Sequence, residues 1–229
     1  MERKIIKTED GSVTIHLPEW NEQYHSKHGA VQEARHVFLK MGLFYHLETF
    51  NPSEISILEI GFGTGLNAFL TMIEAERLKQ KIEYTGVEAY PVSAEEVLQL
   101  NYPEACQAEE CQSEFSEMHT IPWEERSEVT KYFSLNKLEK KFDEIEDIEL
   151  YDLIYFDAFG ARVQPELWTE EIFSIMFKAL KENGVLVTYA AKGSVRRAML
   201  ANGFLVEKLP GPPGKREMLR AVKKLDESS

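Results

Sequence analysis

The sequence predicts an α/β fold: a mostly parallel sheet covered by helices on both faces, preceded by a β-hairpin and a helix. Three observations predict it. Short apolar runs at residues 55–60, 82–87, 151–156 and 185–189 alternate with helical patterns, the order that buries parallel strands. The first run ends in Gly61-Phe62-Gly63-Thr64-Gly65, a glycine turn that opens a helix. No helical pattern separates the last two strand patterns, so the final strand enters antiparallel.

The elements follow in order. Residues 5–6 and 13–15 flank Asp10-Gly11, a strong hairpin signal. Residues 31–47 carry Val31, Ala34, Phe38, Met41 and Tyr45 on one helical stripe, and Asn51-Pro52-Ser53 ends it. The strand at 55–60 leads through the glycine turn into a helix at 66–79. The strand at 82–87 ends at Glu88, and a helix over 93–101 opens on Ser93 with Glu96 in the capping-box position. Strands follow at 129–135 and 151–156, the latter ending at Asp157. A helix over 169–180 is capped by Thr169 and stopped by Asn183-Gly184. Then come a strand at 185–189, a helix at 195–201, a strand at 204–209, a turn at 211–214 and the last strand at 218–222. Residues 1–50 are expected to pack as a hairpin and helix on a main domain of residues 51–224, with 225–229 a frayed tail.

Composition bounds the function. The chain has 229 residues, 43% of them apolar, enough for a sizeable core. No apolar run approaches a membrane span and the first residues lack a signal-peptide core, which predicts a cytoplasmic protein with no membrane partner. Cys106 and Cys111 have no partners at zinc spacing, and His25, His28, His36 and His46 show no ligand pattern, so no metal is expected. The net charge of −13 argues against a general nucleic-acid coat, yet residues 181–224 hold ten bases against three acids. That asymmetry predicts one basic face, against the alternative of dispersed solvated charges.

The chemistry gathers at the carboxyl ends of the strands. Glu59 precedes the glycines of the G-x-G-x-G turn, and Leu66 stands where a dinucleotide fingerprint needs a third glycine. The pattern therefore suits S-adenosylmethionine better than NAD. Glu88 is placed to accept from ribose hydroxyls, and Asp157 lies on the same rim, near a reacting methyl. Phe159 and Trp168 are either core aromatics or platforms for a base. Lys215 and Arg216 follow a Pro-Pro turn and either grip phosphate or form a solvated tip.

These residues carry a specific resemblance. Tyr24-His-Ser-Lys-His-Gly-Ala30, Glu33-Ala-Arg-His-Val-Phe-Leu39, Glu59-Ile-Gly-Phe-Gly-Thr-Gly-Leu-Asn67, Asp157-Ala158-Phe159, Gln164-Pro-Glu-Leu-Trp168 and Lys215-Arg-Glu-Met-Leu219 resemble the tRNA 5-methylaminomethyl-2-thiouridine methyltransferases. That family includes a stand-alone form, MnmD, and the methyltransferase half of the bifunctional MnmC. The resemblance implies a seven-stranded Rossmann-like class I methyltransferase. It implies methyl transfer from S-adenosylmethionine to the amine of 5-aminomethyl-2-thiouridine at the wobble position of a tRNA anticodon stem-loop, without FAD, a separate enzyme supplying the aminomethyl group. Gly160-Ala-Arg162-Val163 departs from the Pro-bearing loop of relatives.

On this reading Asp157 is the catalytic group, orienting the acceptor amine and accepting its proton. Glu59, Gly61, Phe62, Gly63, Gly65, Asn67, Glu88, Asp157 and Ala158 serve the cofactor, with Tyr24, Ser26 and Glu33 closing over it. Phe159 and Trp168 stack on the base, and Arg196, Lys215 and Arg216 serve the RNA substrate. The rivals are an aminopropyltransferase or other small-amine transferase of the same fold, an NAD oxidoreductase, and a non-enzymatic RNA or protein adaptor.

Overall fold

The computed structural model describes residues 2–224, and the expected tail at 225–229 falls outside them. An eight-stranded sheet forms the centre. Its strands are β4 (Glu54–Ile60), β5 (Lys81–Glu88), β6 (Arg126–Thr130), β7 (Phe133–Glu139), β8 (Tyr151–Phe156), β9 (Leu180–Thr188), β10 (Phe204–Pro210) and β11 (Glu217–Lys223), in the spatial order β10-β11-β9-β8-β4-β5-β7-β6. Neighbours from β9 through β7 run parallel, and β11 inserts antiparallel between β9 and β10. The sheet thus has one strand more than the expected seven. The run at 129–135 is split by a turn at Lys131 and Tyr132, giving β6 antiparallel to β7 at the edge.

Helices cover both faces. α2 (Leu66–Leu78) follows the glycine turn, while α6 (Glu170–Ala179) and α7 (Gly193–Ala201) pack on the opposite face around Phe156, Phe173 and Met199. The N-terminal sheet of β1 (Lys4–Lys7), β2 (Val13–Leu17) and β3 (Glu22–Gln23) precedes α1, which runs through Ala30–Ala34, a π-helical stretch Arg35–Phe44 and Tyr45–Phe50. α1 is longer than the expected 31–47. Its Gly42 brings helix backbone against the sheet, where a Cβ would stand 3.0 Å from Val187. Asn51 then ends the helix in the left-handed region, with φ 45°.

Two helix ends differ from the sequence reading. The capping box of Ser93 and Glu96 forms, but its helix is only α3 (Ala94–Val97), because Tyr102 and Pro103 begin a second short helix, α4 (Tyr102–Ala105). The helix after Thr169 ends at Ala179, and Leu180 already pairs with Tyr151 in the sheet. Asn183-Gly184 therefore forms a bulge inside β9, with Asn183 at φ 61°, and does not stop the helix. The acidic segment resolves into turns and the helix α5 (Gln112–Thr120). α5 buries Phe115 and Met118 and turns its carboxylates to solvent.

Packing fixes the glycine turn from below. Phe62 lies against Gly86 of β5 so closely that any Cβ on Gly86 would drive into its ring. Gly86→Ala is expected to destabilise the fold by about 1–3 kcal/mol, as overpacked cores do. Urea unfolding of the purified variant checks this, and loss of cofactor affinity should accompany it.

Candidate functional site

The order of the strands reverses between β4 and β8, the position where open α/β sheets bind ligands. The loops after these two strands are tied together, since Asp157 N donates to the Ile60 carbonyl at 2.9 Å. Gly61 and Phe62 both donate their amides to the Val87 carbonyl at 3.0 Å, which joins the turn to β5 as well. Gly61 sits at φ 88° with the Asp157 carbonyl 2.8 Å from where a Cβ would be, so only glycine fits. Gly63, at φ 51°, leaves the same kind of space to the Tyr24 ring, 3.0 Å away.

Above the switch point lies a cleft of about 1200 Å³ between this rim and the N-terminal sheet. Its walls bring together Tyr24, Gly61, Phe62, Gly63, Asn67, Glu88, Asp157, Ala158 and Phe159 from widely separated parts of the chain. Glu88 borders the cleft while accepting from Gly63 N at 3.0 Å and Tyr90 N at 2.9 Å. Two acids share one amide: Asn67 Nδ2 donates to Glu59 Oε1 at 2.8 Å and to Asp157 Oδ2 at 2.9 Å. Tyr84 donates to the other oxygen of Glu59 at 2.8 Å. Glu59 is only 1% exposed, and desolvation pushes its carboxyl well above the usual range. Asp157 is pushed up to about 7, first by desolvation and then by the charge of Glu33, with Asn67 and Lys215 opposing.

The remaining expected site residues stand elsewhere. Glu59 lies beneath the turn and reaches the cleft only through Asn67. Gly65 faces His119 of α5. Ser26 and Glu33 do not wall the cleft, because Glu33 is buried, accepting from Ser26 N at 2.8 Å and pairing with Lys215. Lys215, though partly exposed, is thereby spent on Glu33, with its Nζ 3.8 Å from the centre of the Tyr189 ring. Trp168 is turned into the core against Phe156 and Phe173, its Nε1 donating to the Phe159 carbonyl at 2.8 Å. Its role here is to hold the Phe159 loop, and it is not placed as a base platform. Arg216 is exposed at the turn after β10, and Arg196 is half-buried on α7, both outside the cleft.

The basic stretch also needs correction. Lys181, Lys208, Lys215, Arg220 and Lys223 each pair with an acid of the same chain, so half of its ten bases are neutralised. The other five are Arg216, Lys224 and, at the start of α7, Lys192, Arg196 and Arg197.

Several wall residues escaped the sequence reading. Tyr189 follows β9 on the same rim and donates to the Ala158 carbonyl at 2.8 Å, so the rule that found Asp157 could have found it. Arg3, Trp20, Glu22 and Gln23 arrive with the N-terminal sheet, and no local pattern marks them. Among the described residues there is no group of three or more His, Cys, Asp or Glu side chains able to hold a metal, and no helix long and apolar enough to cross a membrane.

Comparison with known proteins bears on this geometry. A family profile described as S-adenosyl-L-methionine-dependent methyltransferase matches residues 104–224. The tRNA 5-methylaminomethyl-2-thiouridine biosynthesis bifunctional protein MnmC of Delftia acidovorans is 31% identical over 91% of this chain and 33% of its own length. The chain spans about a third of the length of the curated relatives it matches. Among solved structures, MnmC2 from Aquifex aeolicus superposes with a TM-score of 0.78 at 26% identity, over 97% of this chain and 70% of that one. Spermidine synthase from Thermotoga maritima shares the fold, with a TM-score of 0.60 at 17% identity, over 98% of this chain and 70% of that one.

Burying an ionisable Asp157 has a cost that depends on pH. Its folded pKa lies above the unfolded value, so the native state holds the extra proton at low pH and loses that advantage as pH rises through about 7. Asp157→Asn, which cannot ionise, should therefore raise the melting temperature at pH 8 and change it little at pH 3, below the ordinary carboxylate value. Paired thermal melts at the two pH values check the sign.

Proposed function

The chain belongs to the S-adenosyl-L-methionine-dependent methyltransferase family, and from that premise we propose that it methylates the amine of 5-aminomethyl-2-thiouridine at the wobble position of tRNA. The observation that carries this reading is Asp157: a desolvated carboxylate with a pKa of about 7, on the rim beside the glycine turn and flanked by Phe159, Tyr24 and Trp20. Support for the acceptor comes from likeness over nearly the whole chain to proteins named for the biosynthesis of its methylated product, 5-methylaminomethyl-2-thiouridine. The reading takes the aminomethyl group as already made by a different reaction.

The residues fit the cofactor. Gly61 and Gly63 present bare backbone where a side chain would collide, and the buried Oδ1 of Asn67 has no partner among the described residues. In this proposal Gly61, Gly63 and Asn67 hold its methionine end and Glu88 its ribose hydroxyls, as cofactor-binding residues. When bound, S-adenosylmethionine supplies an activated methyl on a sulfonium, which needs little further activation. The protein's task is then positioning and removal of a proton. Asp157 accepts a hydrogen bond from the acceptor amine, aims its lone pair and takes its proton, while Asn67 fixes the carboxylate by its bond to Oδ2.

Incubation with labelled S-adenosylmethionine and tRNA lacking only the final methyl, followed by nucleoside analysis, should yield 5-methylaminomethyl-2-thiouridine. No label on tRNA, together with methylation of a small amine supplied in its place, would sink the assignment. Turnover needs ionised Asp157, so kcat/KM should climb with pH up to about 7 and then level, and Asp157→Asn should abolish that limb. Calorimetric titration of Glu88→Ala should show cofactor binding weakened about 10-fold or more, as expected for a lost charge-assisted hydrogen bond.

A further inference from the structure

We propose that Trp20 is the platform on which the acceptor base stacks, and that Arg162 is the positioning residue that sets it there. The inference rests on the acceptor being a nucleoside, as proposed above.

Trp20 borders the cleft from the roof side and is only partly buried. Its ring meets Phe159 at 5.7 Å and 82°, and Phe159 meets Tyr24 at 4.9 Å and 81°. The three rings form an aromatic corner beside Asp157. A pyrimidine lying on one ring meets the edge of the next, and its substituent reaches the rim. Trp168, the other tryptophan near this loop, is buried and cannot offer a face.

The Trp20 backbone is held with unusual care for an exposed turn. Trp20 N donates to the Leu17 carbonyl at 3.2 Å, Asn21 N donates to the Pro18 carbonyl at 3.1 Å, and Asn21 adopts φ 46°. Arg162 then clasps this turn from the loop after β8. Its Nη2 donates to the Trp20 carbonyl at 2.9 Å, to the Asn21 carbonyl at 3.1 Å and to Glu22 Oε2 at 3.1 Å. An exposed ion pair alone contributes little stability. What these bonds determine is geometry, because they tie the roof that carries Trp20 to the loop that carries Phe159. A stacking platform is indifferent to base identity, so it would select a planar ring bearing an amine over a flexible aliphatic amine.

The test is kinetic and needs two variants. With a tRNA anticodon stem-loop carrying 5-aminomethyl-2-thiouridine, Trp20→Ala should raise KM about 5- to 100-fold, the range for one lost base–aromatic stack. Cofactor Kd should stay within about twofold, and Trp20→Phe should recover most of the loss. Arg162→Ala should raise KM in the same sense with kcat less affected, and Arg162→Lys should recover part of it. An unchanged KM in Trp20→Ala, or an equal loss of cofactor affinity, overturns the proposal.

A second measurement separates it from the tRNA reading. The free nucleoside 5-aminomethyl-2-thiouridine, added to protein loaded with S-adenosylhomocysteine, should quench tryptophan fluorescence in the wild type and not in Trp20→Phe. That difference supports the platform even where tRNA accepts no methyl, and equal quenching in both proteins overturns it.

Discussion

Two buried carboxylates leaning on a single amide set the terms for this site. Glu59 and Asp157 approach from neighbouring strands, and Asn67, in the first turn of α2, donates to both. Neither acid is well solvated, so each is pushed toward its neutral form. The amide cannot ionise, and it satisfies one oxygen of each acid without adding a competing charge. The glycine turn must therefore be tight enough to bring α2 under Asp157. That requires Gly61 to lie against the Asp157 backbone and Gly86 to make room for Phe62. One hydrogen-bonding requirement thus dictates a turn, a strand glycine and the start of a helix.

The roof depends on a different kind of restraint. Arg3 reaches from the N-terminal sheet to the Pro91 and Tyr90 carbonyls and to Glu96, fastening one end of the cleft. Arg162 fastens the other. Each bridges carbonyls and a carboxylate at once, Arg3 through both terminal nitrogens of its guanidinium and Arg162 through Nη2 alone. Behind Asp157, Glu33 and Lys215 neutralise each other while Glu33 also holds the Ser26 amide. The pairing that occupies Lys215 also moderates the charge felt by Asp157.

Rules with a local physical cause were legible in the sequence. The strand ending at Asp157 spans Tyr151–Phe156 as read, Thr169 caps its helix, and Gly61 takes the positive φ its turn demands. What failed depended on partners far along the chain. Asn183-Gly184 looks like a helix stop, yet Leu180 is claimed earlier by Tyr151 across the sheet. Trp168 and Lys215 carry the residue types of a substrate site but are spent on the Phe159 carbonyl and on Glu33. Trp20 showed no signal because its function arises only where the roof meets the rim.

The sign of the charge at Asp157 poses the last problem. An ionised carboxylate beside an amine favours the ammonium form, which has no lone pair to offer. Against a lysine-like amine, taking up the proton costs roughly 9 kcal/mol for an ordinary exposed carboxylate. For a carboxylate whose pKa has risen to about 7 the same transfer costs roughly half as much. Burial therefore makes Asp157 a better base while leaving it able to ionise at neutral pH, and Glu33 adds to that effect from behind. On the proposed chemistry, the desolvation that penalises folding is the same desolvation that would let the site hold a neutral amine, so neither could be relieved without loss of the other.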